Sequence, residues 1–270
     1  MSHYGLIAAA GPDTETFLQG QFTCDLRQVT PRHSRLGAWC SPKGRMLVIF
    51  RLFRRDDGYY LRLPRAQTGA ILKRLQLYVL RAKTTLKHDD ALAGLGVAGD
   101  RAAARLQETI GTLPAQTDET VTVQNLTVIR VPGHRFEVYG PAGAMTPLRT
   151  ALEAQVPAAD ADAWRLAEIL AGIPTVYPET ADAFLPQMTH LQHLNGVSFR
   201  KGCYTGQEVV ARTQYLGRLK RRMVLAGIAV DSPPAPGQEL FSETGQSVGR
   251  IVDAARHPDG GCRVLAVVQT

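Results

Sequence analysis

A chain of 270 residues has room for one large domain or two to three small ones, and its 44% hydrophobic and 20% charged residues are ordinary globular material. No stretch approaches the ~20 apolar residues of a membrane span, and Met1 to Gly11, with no Lys or Arg and only a short apolar run from Leu6 to Ala10, is too weak for a signal peptide, so a cytosolic protein is expected. A net charge of +7 and a pI near 9.4 admit an anionic partner, whether nucleic acid, a polyglutamyl or a phosphate-bearing ligand, without naming one.

Pro12-Asp13-Thr14-Glu15 opens a short helix that stops at Gly20. Leu36 to Cys40 then reads as a strand, Ser41-Pro42-Lys43-Gly44 as a turn, and Arg45 to Phe53 as the returning strand. Asp56-Asp57-Gly58 turns the chain into Tyr59 to Leu63. Ile71, Leu72, Leu75 and Val79 give helical spacing from Arg65 to about Tyr78, and Arg81 to Leu86 returns as a strand. A second unit of similar grammar follows: strand Leu92 to Val97, helix Arg101 to Ile110, strands Val121 to Val131 and Arg135 to Tyr139, and helix Met145 to Gln155. Strands with helices on one face imply an α+β sandwich for each lobe.

Gln155 to Ala159 reads as a linker, and Asp160 to Ala171 as a helix. The long connection Thr175 to Phe199 is too rich in apolar residues for disorder and is expected to wall a site. Beyond Gly217, short strands at Arg222 to Val230, Glu239 to Phe241, Ser247 to Ala255 and Cys262 to Val268 suggest a small antiparallel β-barrel.

Chemistry is densest at Lys201-Gly202-Cys203-Tyr204-Thr205-Gly206-Gln207-Glu208, with Arg212 four residues on. Thr205 and Glu208 have the spacing of a capping box, so a helix is expected from Gly206, with Cys203 just outside its N-terminus and Arg200 and Lys201 adding positive charge. Those conditions favour a thiolate. Glu208 and Arg212 stand at i,i+4, where Arg212 would brace the helix. Two readings of Cys203 stay open here, a reactive thiol and a small hydrophobe buried in a capped turn. Cys24, Cys40, Cys203 and Cys262 include no Cys-x-x-Cys pair, so spacing gives no metal site, and four free thiols fit a reducing compartment. His190 and His193 lie at i,i+3 and read as satisfied or exposed rather than as metal ligands. The basic clusters Arg54-Arg55 and Lys220-Arg221-Arg222 read as solvated faces, and their lack of interleaved aromatics argues against direct nucleic-acid binding.

The Lys201 to Arg212 motif resembles the signature of the YgfZ family of folate-binding proteins, relatives of the glycine-cleavage aminomethyltransferases and of mitochondrial iron–sulfur assembly factors. The likeness extends through Phe17 to Gln21, Ser41 to Arg45, Ala171 to Pro174, Phe184 to Gln187, Gly196 to Phe199 and Gly217 to Arg221. It implies a three-domain aminomethyltransferase-like ring: residues 1–90 with 159–218 as folate-binding lobes carrying Cys203, 91–158 as a second lobe, and 219–270 as the barrel. Tetrahydrofolate or a one-carbon derivative is the implied ligand. The implied role is assembly or repair of iron–sulfur client enzymes, including those that modify tRNA, with transient cluster contact at Cys203. Lys201, Gly202, Tyr204, Thr205, Gly206, Gln207, Glu208, Arg212 and Gln187 are the implied motif and pocket residues, with no resident metal. The alternative is a folate-dependent one-carbon transferase or demethylase. Against it, the strand that carries a catalytic aspartate in the aminomethyltransferases has Val48 or Ile49 here, which leaves no carboxylate for acid–base work. A second departure is His190, where relatives usually have Asn.

Overall fold

The computed structural model describes residues 1–56 and 58–270; the turn expected at Asp56-Asp57-Gly58 includes Asp57, which lies outside them. The chain divides into two compact units. The first comprises Met1–Thr14, Arg27–Arg35 and Arg51–Trp164, and the second Glu15–Leu26, Leu36–Phe50 and Arg165–Thr270. No helix among the described residues is long and apolar enough to cross a membrane.

From the N-terminus the elements run β1 (Tyr4–Ala10), α1 (Thr14–Gln19), β2 (Arg35–Cys40), β3 (Met46–Arg55), β4 (Gly58–Pro64), α2 (Arg65–Gln76) and β5 (Thr85–Asp89). β1 has no counterpart in the sequence reading. Its run Tyr-Gly-Leu-Ile-Ala-Ala-Ala lacks the alternation of a half-exposed strand because it is paired on both sides, with β4 and with β5, and six of its seven residues are buried. The strand expected over Arg81 to Leu86 begins instead at Thr85. Lys83 and Thr84 are drawn toward the Gly11 to Thr14 corner, where Asp13 accepts from the Lys83 amide and Thr14 bonds Thr84. In the first unit the pairing order is β3-β4-β1-β5, antiparallel throughout.

The same unit continues with β6 (Leu92–Ala98), α3 (Asp100–Ile110), β7 (Thr120–Val123), β8 (Leu126–Val131), β9 (Arg135–Pro141) and α4 (Ala142–Glu153). The single strand expected over Val121 to Val131 is a hairpin. Gln124 and Asn125 both take positive φ (50° and 64°), the backbone of a two-residue type I′ turn, although neither is the glycine that usually marks one. The sheet order is β6-β9-β8-β7. Period-two alternation sorts its two faces: Val128 and Val138 pack with Leu106, Ile110, Leu148 and Leu152 of α3 and α4, while Ile129, Val131 and Tyr139 join Tyr4, Leu6, Phe53 and Trp164.

The remaining elements are α5 (Ala161–Leu170), α6 (Gln207–Tyr215), β10 (Arg221–Ile228), β11 (Glu239–Phe241), β12 (Ser247–Arg256) and β13 (Cys262–Gln269). The long connection before α6 is ordered by three 3₁₀ turns, at Pro178–Thr180, Pro186–Thr189 and Leu191–Leu194. Its apolar residues Val176, Phe184, Leu191 and Val197 enter one core with Leu36, Met46, Ile49, Val210, Met223 and Val252 of the second unit. β10 to β13 form an open four-stranded antiparallel sheet in the order β10-β13-β12-β11, not the closed barrel expected from the sequence. With only three residues, β11 is too short to carry the pairing round to β10.

Candidate functional site

The motif is built inside the second unit by two interlocked turns. Gly44 closes the Ser41-Pro42-Lys43-Gly44 turn with its amide on the Ser41 carbonyl (2.8 Å) and takes φ +72°, and Gly206 takes φ +82° at the entry to α6. A Cβ at Gly206 would lie 2.4 Å from the Ser41 carbonyl oxygen, and one at Gly44 2.9 Å from Val209 Cβ. Only glycine satisfies both the left-handed conformation and the approach.

This entry corrects the capping-box reading. Gly206 is the N-cap, Gln207 the first helical residue, and no side chain caps the helix. The left-handed turn sets the entry angle, so Thr205, half-buried, and Glu208, exposed, do not serve as caps. The bracing role of Arg212 fails as well, since Glu208 and Arg212 are both exposed and form no ion pair among the described residues.

Lys201 is turned into the protein's own backbone. It is 6% exposed, and its ammonium donates to the carbonyls of Gln19 (2.6 Å), Phe22 (2.5 Å) and Cys24 (3.0 Å), which matches its three donors. It also stands 5.0 Å from the centre of the Tyr204 ring. Tyr204 is buried, and its hydroxyl has no hydrogen-bond partner among the described residues; burial first, and then the Cys40 and Cys24 thiols, push its pKa well above the usual phenol range. Gln187 is also buried, tied through Nε2 to the Val210 carbonyl of α6 (2.7 Å). The buried members thus pin the segment, and the exposed members, Gly202, Cys203, Glu208 and Arg212, form what is displayed; Gln207 is half-buried. A Cβ at Gly202 would meet nothing within 4 Å, so the approach to Cys203 is open on that side.

Of the four cysteines, Cys203 alone is exposed. Cys40 is 1% exposed and burial, followed by the charge of Asp182, raises its pKa to about 12, while Cys262 gives its Sγ–H to the Val230 carbonyl. Among the described residues no three His, Cys, Asp or Glu side chains converge to hold a metal, so the donor set does not fit a resident iron–sulfur cluster. His190 takes φ +59°, a conformation that Asn and His tolerate better than most residues, and its Nε2 bonds the Met223 carbonyl at 3.1 Å. That bond fixes the ring as a structural tie between the connection and β10. Val48 and Ile49 are both buried apolar residues of β3.

A polar cluster in the first unit escaped the sequence reading. Arg51 pairs with Asp118 (2.6 Å) and Arg62 with Glu137 (2.8 Å), whose other oxygen accepts from the Tyr139 hydroxyl. Burial pushes the Glu137 carboxyl upward, but Arg62, Arg51, the Tyr139 hydroxyl and Arg135 outweigh it and hold the group below the usual range. Beside it the Arg135 guanidinium lies 4.7 Å over the Trp164 ring, and the buried Trp164 Nε1–H has no acceptor among the described residues. Register is the signal that unites these residues, and register is not written in a single sequence.

No family model matches the chain. It is similar to the tRNA-modifying protein YgfZ of Klebsiella pneumoniae (strain 342), 34% identical over 274 residues that cover 99% of this chain and 84% of that protein. It is also similar to the tRNA-modifying protein YgfZ of Colwellia psychrerythraea (strain 34H), 30% identical over 273 residues with the same coverage. In structure it resembles the glycine cleavage system aminomethyltransferase T from Bartonella henselae, with a TM-score of 0.81 at 19% identity over 99% of this chain and 76% of that one. Its fold is therefore that of the aminomethyltransferases, and by identity sustained along almost its whole length the chain belongs to the YgfZ family.

Proposed function

We propose that this chain is a folate-binding accessory protein that supports tRNA modification and the assembly or repair of iron–sulfur enzymes, with Cys203 as its reactive thiol. The observation that carries the reading is the division of the motif: Lys201, Tyr204, Gly206 and Gln187 are spent on holding the segment, and Cys203 is the one cysteine it displays. A side chain so held and so open suits a brief encounter with a partner's thiol, sulfur or cluster, the cluster being cargo and not a resident group.

The folate ligand is carried from the family resemblance, since Trp164, Arg135 and the rings of Tyr4, Phe53 and Tyr139 in the first unit are all buried. Folate when bound supplies a carrier for one-carbon units. The assignment of 1–90 with 159–218 to folate-binding lobes, and their arrangement as a ring, are carried from the family resemblance as part of this proposal. Turnover of the aminomethyltransferase kind is disfavoured by the apolar Val48 and Ile49 in the strand expected to carry the carboxylate.

The test is calorimetric titration of the whole chain with tetrahydrofolate and its formyl and methylene forms, on wild type and Cys203→Ser, alongside complementation of a strain lacking the protein. The expected result is equal folate binding by both and loss of complementation in the serine variant alone. Absence of binding to every folate form removes the ligand. Full complementation by Cys203→Ser removes the thiol role, and steady one-carbon turnover by that variant establishes the transferase instead.

A further inference from the structure

A cavity of about 270 Å³ in the second unit lies outside every role assigned above. It is lined by three arginines, Arg45 just past the Ser41 to Gly44 turn, Arg221 at the start of β10 and Arg250 on β12, against one acidic residue, Asp182; Phe184, Met188 and Val267 are apolar lining. The charges do not cancel one another. Asp182 is turned to the Ser41 hydroxyl (2.6 Å) and takes φ +61°, while Arg45 is aimed by the carbonyl of Ala183 (2.5 Å), and no arginine of the rim pairs with Asp182 among the described residues. Arg250 shares its charge with Glu239 at 3.0 Å, a half-exposed pair. The Arg221 side chain is exposed, with no hydrogen bond or ion pair among the described residues.

Self-consistent surfaces place opposite charges beside a cluster of cations, and this one leaves most of the guanidinium donors of Arg45 and Arg221 unused around a concavity. Three arginines lining one concavity suit a tetrahedral oxyanion, to which each guanidinium can give two bonds. Drug-sized ligands occupy about 300–1,000 Å³, so this volume suits a head group or a small molecule rather than an extended one. We propose that the Arg45, Arg221 and Arg250 cavity binds a phosphoryl group, borne by a small organic phosphate whose apolar part rests on Phe184 and Met188. The cavity and the Cys203 motif share one turn, since Gly44 backs Gly206 while the next residue, Arg45, enters the rim. Occupancy of the cavity would therefore stiffen the support of the displayed thiol.

The test is titration of inorganic pyrophosphate into the full chain at low ionic strength, followed by phosphorus NMR and calorimetry. Wild type is expected to bind one equivalent saturably, and Arg221→Gln to weaken binding by about tenfold or more, the loss of one bidentate charge-assisted pair. Arg221 is exposed, so the variant should melt like wild type and the loss is not one of folding. Arg218→Gln is the control, an exposed cation that does not line the cavity. If it weakens binding equally, the attraction is diffuse and the site falls; if pyrophosphate fails to saturate, the site falls outright. AMP and a short single-stranded RNA serve as competitors. Displacement by AMP alone confirms the small phosphate, whereas displacement by RNA alone overturns it in favour of a nucleic-acid backbone. None of these readouts involves folate or Cys203.

Discussion

The two units bury positive charge by different means. In the first, register sets Arg51 of β3 directly opposite Arg62 of β4, a like-charge pair that would push the strands apart, and the carboxylates of Asp118 and Glu137 are drawn in to neutralise it. In the second, Lys201 is caged by the carbonyls of Gln19, Phe22 and Cys24. Ion pairs of the first kind choose which strands and sheets meet. A carbonyl cage ties one residue to a particular short loop, and here that loop and the Ser41 turn fix the platform from which Cys203 projects. Charge is used for architecture in one place and for display in the other.

The comparison breaks first at Lys201. Lys201→Met leaves three carbonyls without their donor, and since hydrogen bonds to charged groups are worth about 1.5–3 kcal/mol each, a loss of about 5 kcal/mol is expected. Guanidinium unfolding measures it, as a fall in midpoint at unchanged slope. A loss below about 1 kcal/mol would mean that water replaces the ammonium and that the cage is not what holds the motif.

Glu137→Gln is the matching experiment in the first unit, and removal of one partner from a buried pair should cost about 3–4 kcal/mol at neutral pH. Its pH dependence carries a sign. Because the folded carboxyl is held below its ordinary value of 4.5, its stabilisation is complete above that pH and is lost as the pH falls through the lower folded value. Wild type should therefore show an acid limb that Glu137→Gln has largely lost.

Asp253 of the second unit should slope the other way. It is 1% exposed, paired with Arg165 (2.5 Å) and with the Tyr177 hydroxyl (3.0 Å), and burial outweighs both and pushes it from 3.8 up to about 6. The stability associated with its protonated form is present below pH 3.8 and lost as the pH rises through about 6. Relative to Asp253→Asn, wild type should lose up to about 3 kcal/mol across that window, by the worth of about 1.4 kcal/mol per pKa unit. Three guanidiniums and a hydroxyl outweigh burial at Glu137, and one guanidinium with a hydroxyl does not at Asp253. Parallel curves for wild type and Asp253→Asn would refute that count.

Much of the fold was legible where local chemistry decides it. The Pro42 and Gly44 turn, the helix at Arg65 and the later β-strands lie within a few residues of their expected places, because turn residues and periodicity act over short range. β1 was hidden by being buried on both faces, where an Ala-rich apolar run looks the same in a strand as in a helix. The Gln124-Asn125 hairpin lacked its usual glycine. The site was legible as a stretch and misread in its parts. Thr205 and Glu208 have capping-box spacing, but Gly206 in a left-handed conformation takes over the helix start, and that choice depends on Ser41 and Gly44, more than 160 residues away. The tying role of Lys201 was hidden because the three carbonyls that accept from it lie about 180 residues upstream. Spacing within a motif says which residues are neighbours along the chain, and tertiary contact decides which of them face inward.

Cys203→Ser should have the smallest effect on stability and gives the clearest separation of display from architecture. An exposed side chain with no hydrogen bond among the described residues is expected to change stability by no more than about 0.5 kcal/mol, so unfolding curves of the variant and wild type should superimpose. Thiol chemistry should distinguish them completely. A soluble maleimide added to native wild type should label one cysteine quickly, while Cys24, Cys40 and Cys262 wait for unfolding because their sulfurs are enclosed. The serine variant should show no fast phase. A fast phase that survives the substitution would place the accessible thiol at another cysteine. A destabilised serine variant would show Cys203 to be part of the architecture. Either result would erase the division between the caged lysine and the displayed thiol on which the functional reading rests.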